Sequence, residues 1–260
     1  MNIVVLLKMV PDVVEELVVA SDGKSLDPQW LRMILNEPDG HALEQALLLK
    51  ERHGGTVTVL ALDAPEVDEV LFTALAQGAD RAVKLAGDWT GIRSLSAVRV
   101  FSSFLAPGPG QPTPEILILT GSQAIDDLEG EAGPYLAEIL DLPYLGVVSG
   151  VAIDERGKRA TVIKEFAGGL RGEFELPLPA VLGIQAAEKP PRYVPVARVR
   201  STMRSAKIET LEISPPEAPA ALAVDRLYKP EVVGRAEMLE GTAEEVSVRI
   251  AELLAEHGLI

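Results

Sequence analysis

Cysteine is absent from the 260 residues of the chain, and its absence limits the chemistry that the protein can perform. Without a thiol the chain can form no disulfide, no thiolate-ligated metal centre and no cysteine nucleophile. Any redox chemistry therefore depends on a bound organic cofactor. Histidine is scarce as well: the three histidines are His41, His53 and His257. None has the setting of a nucleophile's partner, so we expect no side-chain catalysis and interpret all three as structural.

Basic residues are also fewer than acidic residues. Lysine and arginine number 24 against 39 acidic residues, which gives a formal net charge of −15. A surface of this sign repels a phosphate backbone, so we expect no nucleic-acid partner. The first apolar run, residues 3–7, ends at Lys8 after five residues and is too short for a signal peptide or a membrane span. These features predict a cytoplasmic protein without direct membrane insertion.

Two standard nucleotide motifs are missing from the sequence. No strand-like run is followed by GxxxxGK[ST], the phosphate loop of many ATPases, or by GxGxxG, the fingerprint of dinucleotide dehydrogenases. The sequence therefore argues against both classes of enzyme. It does not exclude a nucleotide held by another kind of turn.

What the chain does contain is a regular alternation of short apolar runs and amphipathic stretches. Strand-length runs at residues 3–7, 57–62, 82–85 and 116–119 are separated by segments with helical spacing of apolar residues. Right-handed crossovers between such strands predict an α/β fold with a doubly wound parallel sheet. In a sheet of this kind, ligands bind beyond the carboxyl ends of the strands.

The pattern changes after residue 145. Four further runs (residues 147–153, 160–166, 171–176 and 180–184) predict antiparallel strands that extend the sheet. We divide the chain into an α/β nucleotide-binding domain at 1–186 and a proline-rich arm at 187–260. The arm ends in a helix with Thr242 and Glu245 placed as a capping box. We expect this helix to dock either on a partner subunit or on its own sheet. A separate proline-rich stretch at residues 107–114 predicts a surface loop before a strand.

A glycine-rich acidic turn, "GSQAIDDLEGEAGPYLAEIL" at residues 121–140, follows one of the parallel strands. Its four carboxylates belong to Asp126, Asp127, Glu129 and Glu131. They are compatible with a hard divalent cation, but no known ligand spacing supports one, and a solvated turn is the alternative. A third interpretation is an anion site, because backbone N–H groups at the start of the next helix attract negative charge.

Seven segments in order resemble the beta subunit of electron transfer flavoprotein, and together they span nearly the whole chain. They are "VVLLKMVPD" (4–12), "LNEPDGHALEQALLLKERHGG" (35–55), "ALAQGADRAVKL" (74–85), the acidic turn (121–140), "VIKEFAGGLRGEFELPLPAVL" (162–182), "PPRYVPVARVRSTMRSAKIE" (190–209) and the terminal arm. Each motif is only moderately specific. Their order makes coincidence improbable.

The resemblance implies an electron carrier rather than an enzyme. In this family a doubly wound domain of the adenine nucleotide alpha hydrolase-like type pairs with an alpha subunit. The heterodimer holds FAD, mainly on the alpha subunit, and an AMP in the beta subunit. Electrons pass from flavin dehydrogenases, such as the acyl-CoA dehydrogenases of fatty acid oxidation, to a quinone oxidoreductase.

The resemblance also implies particular site residues. The AMP-type site maps onto Leu6, Asp63, Asp127, Gly130, Glu131 and Ala132. Glu131 departs from the family's usual glutamine, and a carboxylate beside a phosphate is repulsive. Asp63 stands where many relatives have a small or neutral residue. The occupant is therefore AMP, a second FAD or nothing.

Two further regions carry implied roles. Val13 and Pro38 correspond to the flavin-facing positions, where an aromatic residue is common in the family. Val196 falls on the leucine with which the family's recognition loop anchors in a dehydrogenase. Arg198 and Arg200 belong to a basic patch that either steers an acidic partner or is solvated.

A second hypothesis comes from a different class of protein. A universal-stress-type module shares the doubly wound sheet and binds an adenine nucleotide, but it functions as a self-sufficient homodimer. It leaves residues 187–260 without a role.

Overall fold

The computed structural model describes residues 1–89, 91–106, 116–127, 129–213, 224–230 and 238–260. The strands are Asn2–Leu7 (β1), Met9–Pro11 (β2), Met33–Leu35 (β3), Thr56–Leu62 (β4), Arg81–Ala86 (β5), Ile116–Gly121 (β6), Tyr144–Ile153 (β7), Arg159–Glu165 (β8), Arg171–Pro177 (β9), Ala180–Ile184 (β10) and Glu209–Glu212 (β11). The helices are Glu37–His53 (α1), Val67–Gln77 (α2), Ser94–Leu105 (α3), Ala132–Leu140 (α4), Val196–Ser205 (α5) and Ala243–Glu256 (α6).

One large sheet organises the described part of the chain. Its nine strands lie in the order β11-β5-β4-β1-β6-β10-β7-β8-β9. The strands from β11 to β7 are parallel to one another, while β8 and β9 continue the sheet as antiparallel neighbours. The predicted fold class, a parallel α/β sheet extended by antiparallel strands, is confirmed.

Helices cover both faces of the parallel strands. Side chains of α1 and α2, such as Leu43 and Leu71, pack with Val5 on one face. Side chains of α3 and α4, such as Val98 and Leu136, pack on the other face. Because successive side chains of a strand point to opposite faces, strand β1, which is apolar over residues 3–7, contributes to both cores. The sheet is therefore doubly wound.

Two predictions about strands are corrected by the structure. Residues 180–184 were expected in an antiparallel strand, but β10 lies between β6 and β7 and is parallel to both. All five residues of β10 are buried, as is typical of a parallel strand covered on both faces. In addition, β11 pairs in parallel with β5, inside the segment that was expected to be an arm. Short strands of mixed polarity give little periodic signal.

The segment after residue 186 divides into two parts that differ in their contacts. Residues 187–213 lie against the domain: Val199 of α5 is buried, α5 packs against α2, and β11 joins the sheet. The recognition loop that the resemblance implies around Val196 is thus a helix in this chain. By contrast, no residue of α6 is buried against the described part of the chain. The predicted capping box of Thr242 and Glu245 at its start is confirmed.

The expected loop at 107–114 lies outside the described residues. Within the described ranges, no helix is both long enough and apolar enough to span a bilayer.

Candidate functional site

A cavity of about 840 Å³ lies at the carboxyl edge of the parallel sheet. Its walls come from the residues that follow β1, β4, β5 and β6 and from the first turns of α3 and α4. Sites for small organic ligands occupy roughly 300–1,000 Å³, so the cavity is large enough for a nucleotide. Its location agrees with the general rule for ligand sites in doubly wound sheets.

The six residues assigned to an AMP-type site all line this one cavity. They are Leu6, Asp63, Asp127, Gly130, Glu131 and Ala132. Three separate stretches of sequence supply them: the end of β1, the residue after β4, and the turn from β6 into the first residue of α4. Because β1, β4 and β6 are adjacent parallel strands, their carboxyl ends meet at one edge.

The acidic turn is tied to the end of β1 by a lysine. The Lys8 ammonium donates to Asp126 Oδ1 at 2.6 Å and to Asp127 Oδ2 at 3.0 Å. Ser94, at the start of α3, donates to the same Asp127 oxygen at 3.1 Å. Burial alone would lower the pKa of Lys8, but its bonds to the two carboxylates outweigh burial and raise the pKa. Lys8 is therefore a charged structural link rather than a free cation.

The same lysine determines the charge of the turn. Burial tends to raise the pKa of Asp127, but the hydrogen bond and charge of Lys8, together with Ser94, hold it below its usual value. Asp127 is consequently an anion at neutral pH. Metal binding by the turn finds no support, since the described residues contain no group of three potential ligands close enough to hold an ion.

A second aspartate, Asp39, lies deeper and joins the ends of two strands. Its carboxylate accepts the backbone N–H of Lys8 and that of Gly121, each at 2.8 Å. The residue is only 5 % exposed, and burial raises its pKa to about 7 despite these hydrogen bonds and the charge of Lys8. Gly121 is required beside it, because a Cβ there would clash with the carboxylate. Asp39 thereby fixes the floor of the cavity.

Two buried polar atoms of the cavity wall have no hydrogen-bond partner within the described structure. They are Thr120 Oγ1, at the end of β6, and Asp127 Oδ1. Thr120 is 4 % exposed. Buried polar atoms are normally paired, so these two are exceptions. Both atoms are covered by the surrounding protein, so a ligand in the cavity does not reach them.

The family model of the electron transfer flavoprotein domain matches residues 26–216. This chain belongs to the electron transfer flavoprotein family. The match includes β4, β5, β6 and the acidic turn, and therefore most of the cavity wall.

Individual relatives cover the full length of the chain. The electron transfer flavoprotein subunit beta of Clostridium acetobutylicum is 31% identical over 267 aligned residues, with 100% of both chains covered. That of Methylophilus methylotrophus is 29% identical, with 98% of both chains covered. The caffeyl-CoA reductase-Etf complex subunit CarD of Acetobacterium woodii is 30% identical over the full length of both chains. The resemblance to the beta subunit found from seven motifs is confirmed.

The two positions that the resemblance assigns to the flavin, Val13 and Pro38, lie outside the cavity. Val13 is 58% exposed and lies in the loop after β2. Pro38 is the second residue of α1 and contacts the backbone at the end of β6, where a Cβ on Gly121 would lie 2.8 Å from the Pro38 Cβ. Pro38 is followed directly by Asp39, which lines the cavity, so the first turn of α1 carries one residue of each site.

The expected recognition residues are on the surface of α5. Val196 is the first residue of the helix and is 60% exposed, and Arg198 and Arg200 are exposed beside it. Within the described chain neither arginine forms an ion pair. The helix thus presents one apolar side chain flanked by uncompensated positive charge.

The position of α5 is set by a clamp that sequence analysis did not identify. The Arg192 guanidinium donates to both carboxylate oxygens of Glu44, at 2.8 and 2.9 Å, and to Glu51 at 2.6 Å. Glu44 is only 4% exposed. Bidentate pairs of this kind fix orientation as well as distance. The spacing of Glu44 and Arg192, 148 residues apart, carries no signal in a single sequence.

The loop after β5 also contributes to the cavity and was missed. Gly87, Asp88, Trp89 and Gly91 line it, and the Trp89 indole donates to the carbonyl of Leu85 at 2.8 Å. The available signal was topological: this loop follows a predicted parallel strand and must open at the same edge as the acidic turn.

The cavity residues fit the adenosine part of AMP better than its phosphate. Apolar side chains of the wall, such as Leu6 and Phe101, suit a flat base. The N–H groups at the start of α4 could face an anion. However, Lys8 and Arg93, the lysine and arginine among the described lining residues, already bind carboxylates, with Arg93 3.5 Å from Glu129. The phosphate therefore meets no uncommitted cation.

Proposed function

We propose that the chain is the beta subunit of a heterodimeric electron transfer flavoprotein, which shuttles electrons between flavin dehydrogenases and a quinone oxidoreductase. The match of residues 26–216 to the family is the observation that carries this proposal. Family membership supports an electron-transfer role and a flavin. The donors, such as acyl-CoA dehydrogenases in fatty acid oxidation, and the acceptor are the finer part of the proposal.

FAD is proposed to bind mainly to the alpha subunit, with Val13 and Pro38 of this chain closing one side. Neither residue offers an aromatic ring or a charge to the flavin, so its contact with this subunit is apolar and small. The six cavity residues are proposed to hold an adenine compound, for which AMP and a second FAD are the family's candidates. The cavity volume and its position at the carboxyl edge support this assignment.

The alpha subunit is proposed to cover the terminal helix. Helix α6 has apolar Val246, Ile250, Leu253 and Leu254 at helical spacing, yet none of them is buried against the described chain. A stable helix with an uncovered apolar face is typical of a segment that packs on another chain. We propose a cytoplasmic location for the heterodimer.

Val196 is proposed to anchor this subunit in a pocket of the dehydrogenase, with Arg198 and Arg200 steering the approach. A small apolar side chain entering a desolvated pocket is a common interface hot spot. Valine buries one methylene fewer than the leucine of relatives, which weakens binding by about 0.8 kcal/mol.

The test is to co-express the chain with its alpha subunit and to measure reduction of the bound flavin by a dehydrogenase. A yellow heterodimer with flavin that a dehydrogenase reduces would support the proposal, whereas a colourless monomer would contradict it. Val196→Asp is expected to abolish reduction and leave flavin content intact. Val248→Asp is the control, because it places the same charge on α6 at an exposed position away from the apolar face. It is expected to leave both the flavin content and the reduction of the flavin unchanged.

A further inference from the structure

Helix α5 is held in place with very little burial of its own side chains. All ten of its residues are described, and among them only Val199 is buried, where the helix packs on α2. A helix of ten residues is marginal in water, and the burial of one valine offsets little of the conformational entropy that its ordering costs. The position of α5 therefore depends on the segments at its two ends.

The segment that leads into α5 is bonded along one side of α1. The Ala187 N–H donates to His41 Nδ1 at 3.2 Å, and the Glu188 N–H donates to Gln45 Oε1 at 3.1 Å. The Gln45 amide donates in return to Glu188 Oε1 at 3.0 Å. His41 and Gln45 are four residues apart and so share one face of the helix. The segment thus follows this face of α1 toward Arg192.

Arg192 is bound through every polar group that it has. Its N–H donates to Glu44 Oε2 at 3.0 Å, and its guanidinium donates to Glu44 and Glu51. Its carbonyl accepts a hydrogen bond from Gln77 Nε2 at 3.0 Å. Glu44 and Glu51 belong to α1, whereas Gln77 is the last residue of α2. Arg192 therefore joins the entry of α5 to two helices of the domain at once.

The far end of α5 is fixed separately and at a greater distance along the chain. Strand β11 pairs with β5, and Arg81 Nε donates to Glu209 Oε2 at 2.8 Å. Val196 is four residues after Arg192 but thirteen residues before Glu209. Because a short tether restricts an attached group more than a long one, the position of Val196 depends mainly on Arg192.

We propose that Arg192 is a positioning residue for partner recognition: its bonds to Glu44 and Glu51 hold the first turn of α5 so that Val196 is presented to the dehydrogenase. This inference rests on the proposed function, in which Val196 is the anchor. Arg192 acts through Val196, because a helix that is already fixed loses less conformational entropy when it enters a complex. Loss of the clamp weakens the encounter and leaves electron transfer within the complex unchanged.

The experiment uses the flavin-containing heterodimer as the electron acceptor of an acyl-CoA dehydrogenase and measures KM for the heterodimer together with kcat. Arg192→Ala is expected to raise KM about tenfold while kcat and flavin content stay unchanged. Arg192→Lys keeps the charge but not the bidentate geometry, so its KM is expected to rise only about threefold.

The matched control is Arg159→Ala. It removes another arginine that pairs with a carboxylate, that of Glu175 at 2.7 Å, but Arg159 is exposed and lies on β8, away from the clamp. Both KM and kcat are expected to stay unchanged. Glu51→Ala is the milder variant if Arg192→Ala does not assemble, because it removes the exposed half of the clamp and leaves Glu44 paired. Its KM is expected to rise about threefold.

Two further measurements separate positioning from a general loss of stability. If Arg192 acts through Val196, Arg192→Ala and Val196→Ala are coupled, and the double variant has nearly the same KM as Val196→Ala alone. Amide exchange in the heterodimer is expected to become faster at residues 196–205 and to stay unchanged in α4. Independent effects that multiply in the double variant, or faster exchange in both helices, would overturn the positioning role.

The remaining outcomes distinguish this inference from the proposed function. If the dehydrogenase reduces the heterodimer and neither Arg192→Ala nor Glu51→Ala raises KM, the positioning role is wrong while the electron-transfer function stands. A loss of kcat at constant KM has the same meaning. If the dehydrogenase does not reduce the flavin of the unaltered heterodimer, the proposed function is refuted, and the positioning role is refuted with it.

Discussion

Replacement of Asp39 by asparagine tests how the carboxyl edge of the sheet is held together. The Asp39 carboxylate is buried and bonded to two backbone N–H groups, and burial raises its pKa to about 7, against an ordinary value of 3.8. The folded protein therefore binds this proton more tightly than the unfolded chain does. Between about pH 4 and 7 the folded state holds more protons, so stability falls as pH rises through this window.

The raised pKa of Asp39 determines how much the free energy of unfolding changes with pH. One pKa unit corresponds to about 1.4 kcal/mol, so the total loss of stability is about 4 kcal/mol, of which about 3 kcal/mol occurs between pH 5 and 8. Acids whose pKa is lowered, such as Asp80 and Asp127, change the stability only at lower pH. The charge of Lys8 and a hydrogen bond from Asn36 both lower the pKa of Asp39, but burial outweighs them.

The assay is urea denaturation followed by the fluorescence of the buried Trp89, for the unaltered chain and Asp39→Asn at pH 5 and pH 8. Between pH 5 and pH 8, the free energy of unfolding of the unaltered chain is expected to fall by about 3 kcal/mol more than that of the variant. Glu37→Gln, an exposed change in the same helix turn, is the control for lost charge and should behave as the unaltered chain. Parallel pH profiles for the unaltered chain and Asp39→Asn would refute the reasoning.

Three further predictions concern packing and stability, each measured by urea denaturation. Gly121→Ala forces a Cβ against the first turn of α1 and is expected to destabilise by about 1–3 kcal/mol, whereas Gly40→Ala, with its nearest neighbour at 3.8 Å, should be neutral or stabilise by up to about 1 kcal/mol. Arg192→Ala leaves Glu44 buried without its partner and should cost about 3 kcal/mol; an equal loss in a Glu44→Gln background would contradict the clamp. Thr242→Ala removes the capping box of α6 and should cost about 1 kcal/mol of helix stability, seen as faster amide exchange at 243–256, and unchanged exchange would disprove it.

Local patterns in the sequence determined the parallel half of the fold. Residues 3–7 and 116–119 are continuous apolar runs, and a strand covered on both faces has this composition wherever it occurs in a chain. The helix boundaries near Gly54 and Gly78 were also readable, because glycine at a positive φ ends a helix. The capping box of α6 is a contact within four residues. Such features depend on neighbours in sequence, and a single sequence contains them.

Pairing between distant strands could not be determined in this way. The run at 180–184 was identified as a strand, but its insertion between β6 and β7 depends on which neighbours compete for its two edges. The polar strand β11 and the exposed helix α5 become ordered through β5 and α2, and their own periodicity is weak. Register and partner are properties of the assembled sheet.

The site shows the same division between sequence and structure. The sequence, through its resemblance to a family, predicted six residues from three separate stretches, and the acidic composition of the turn was visible in it. Only the tertiary structure decided that Lys8 binds both Asp126 and Asp127 and that the Thr120 hydroxyl is left unpaired. Composition counts charges, whereas hydrogen bonding over more than 100 residues of separation decides which of them remain available to a ligand.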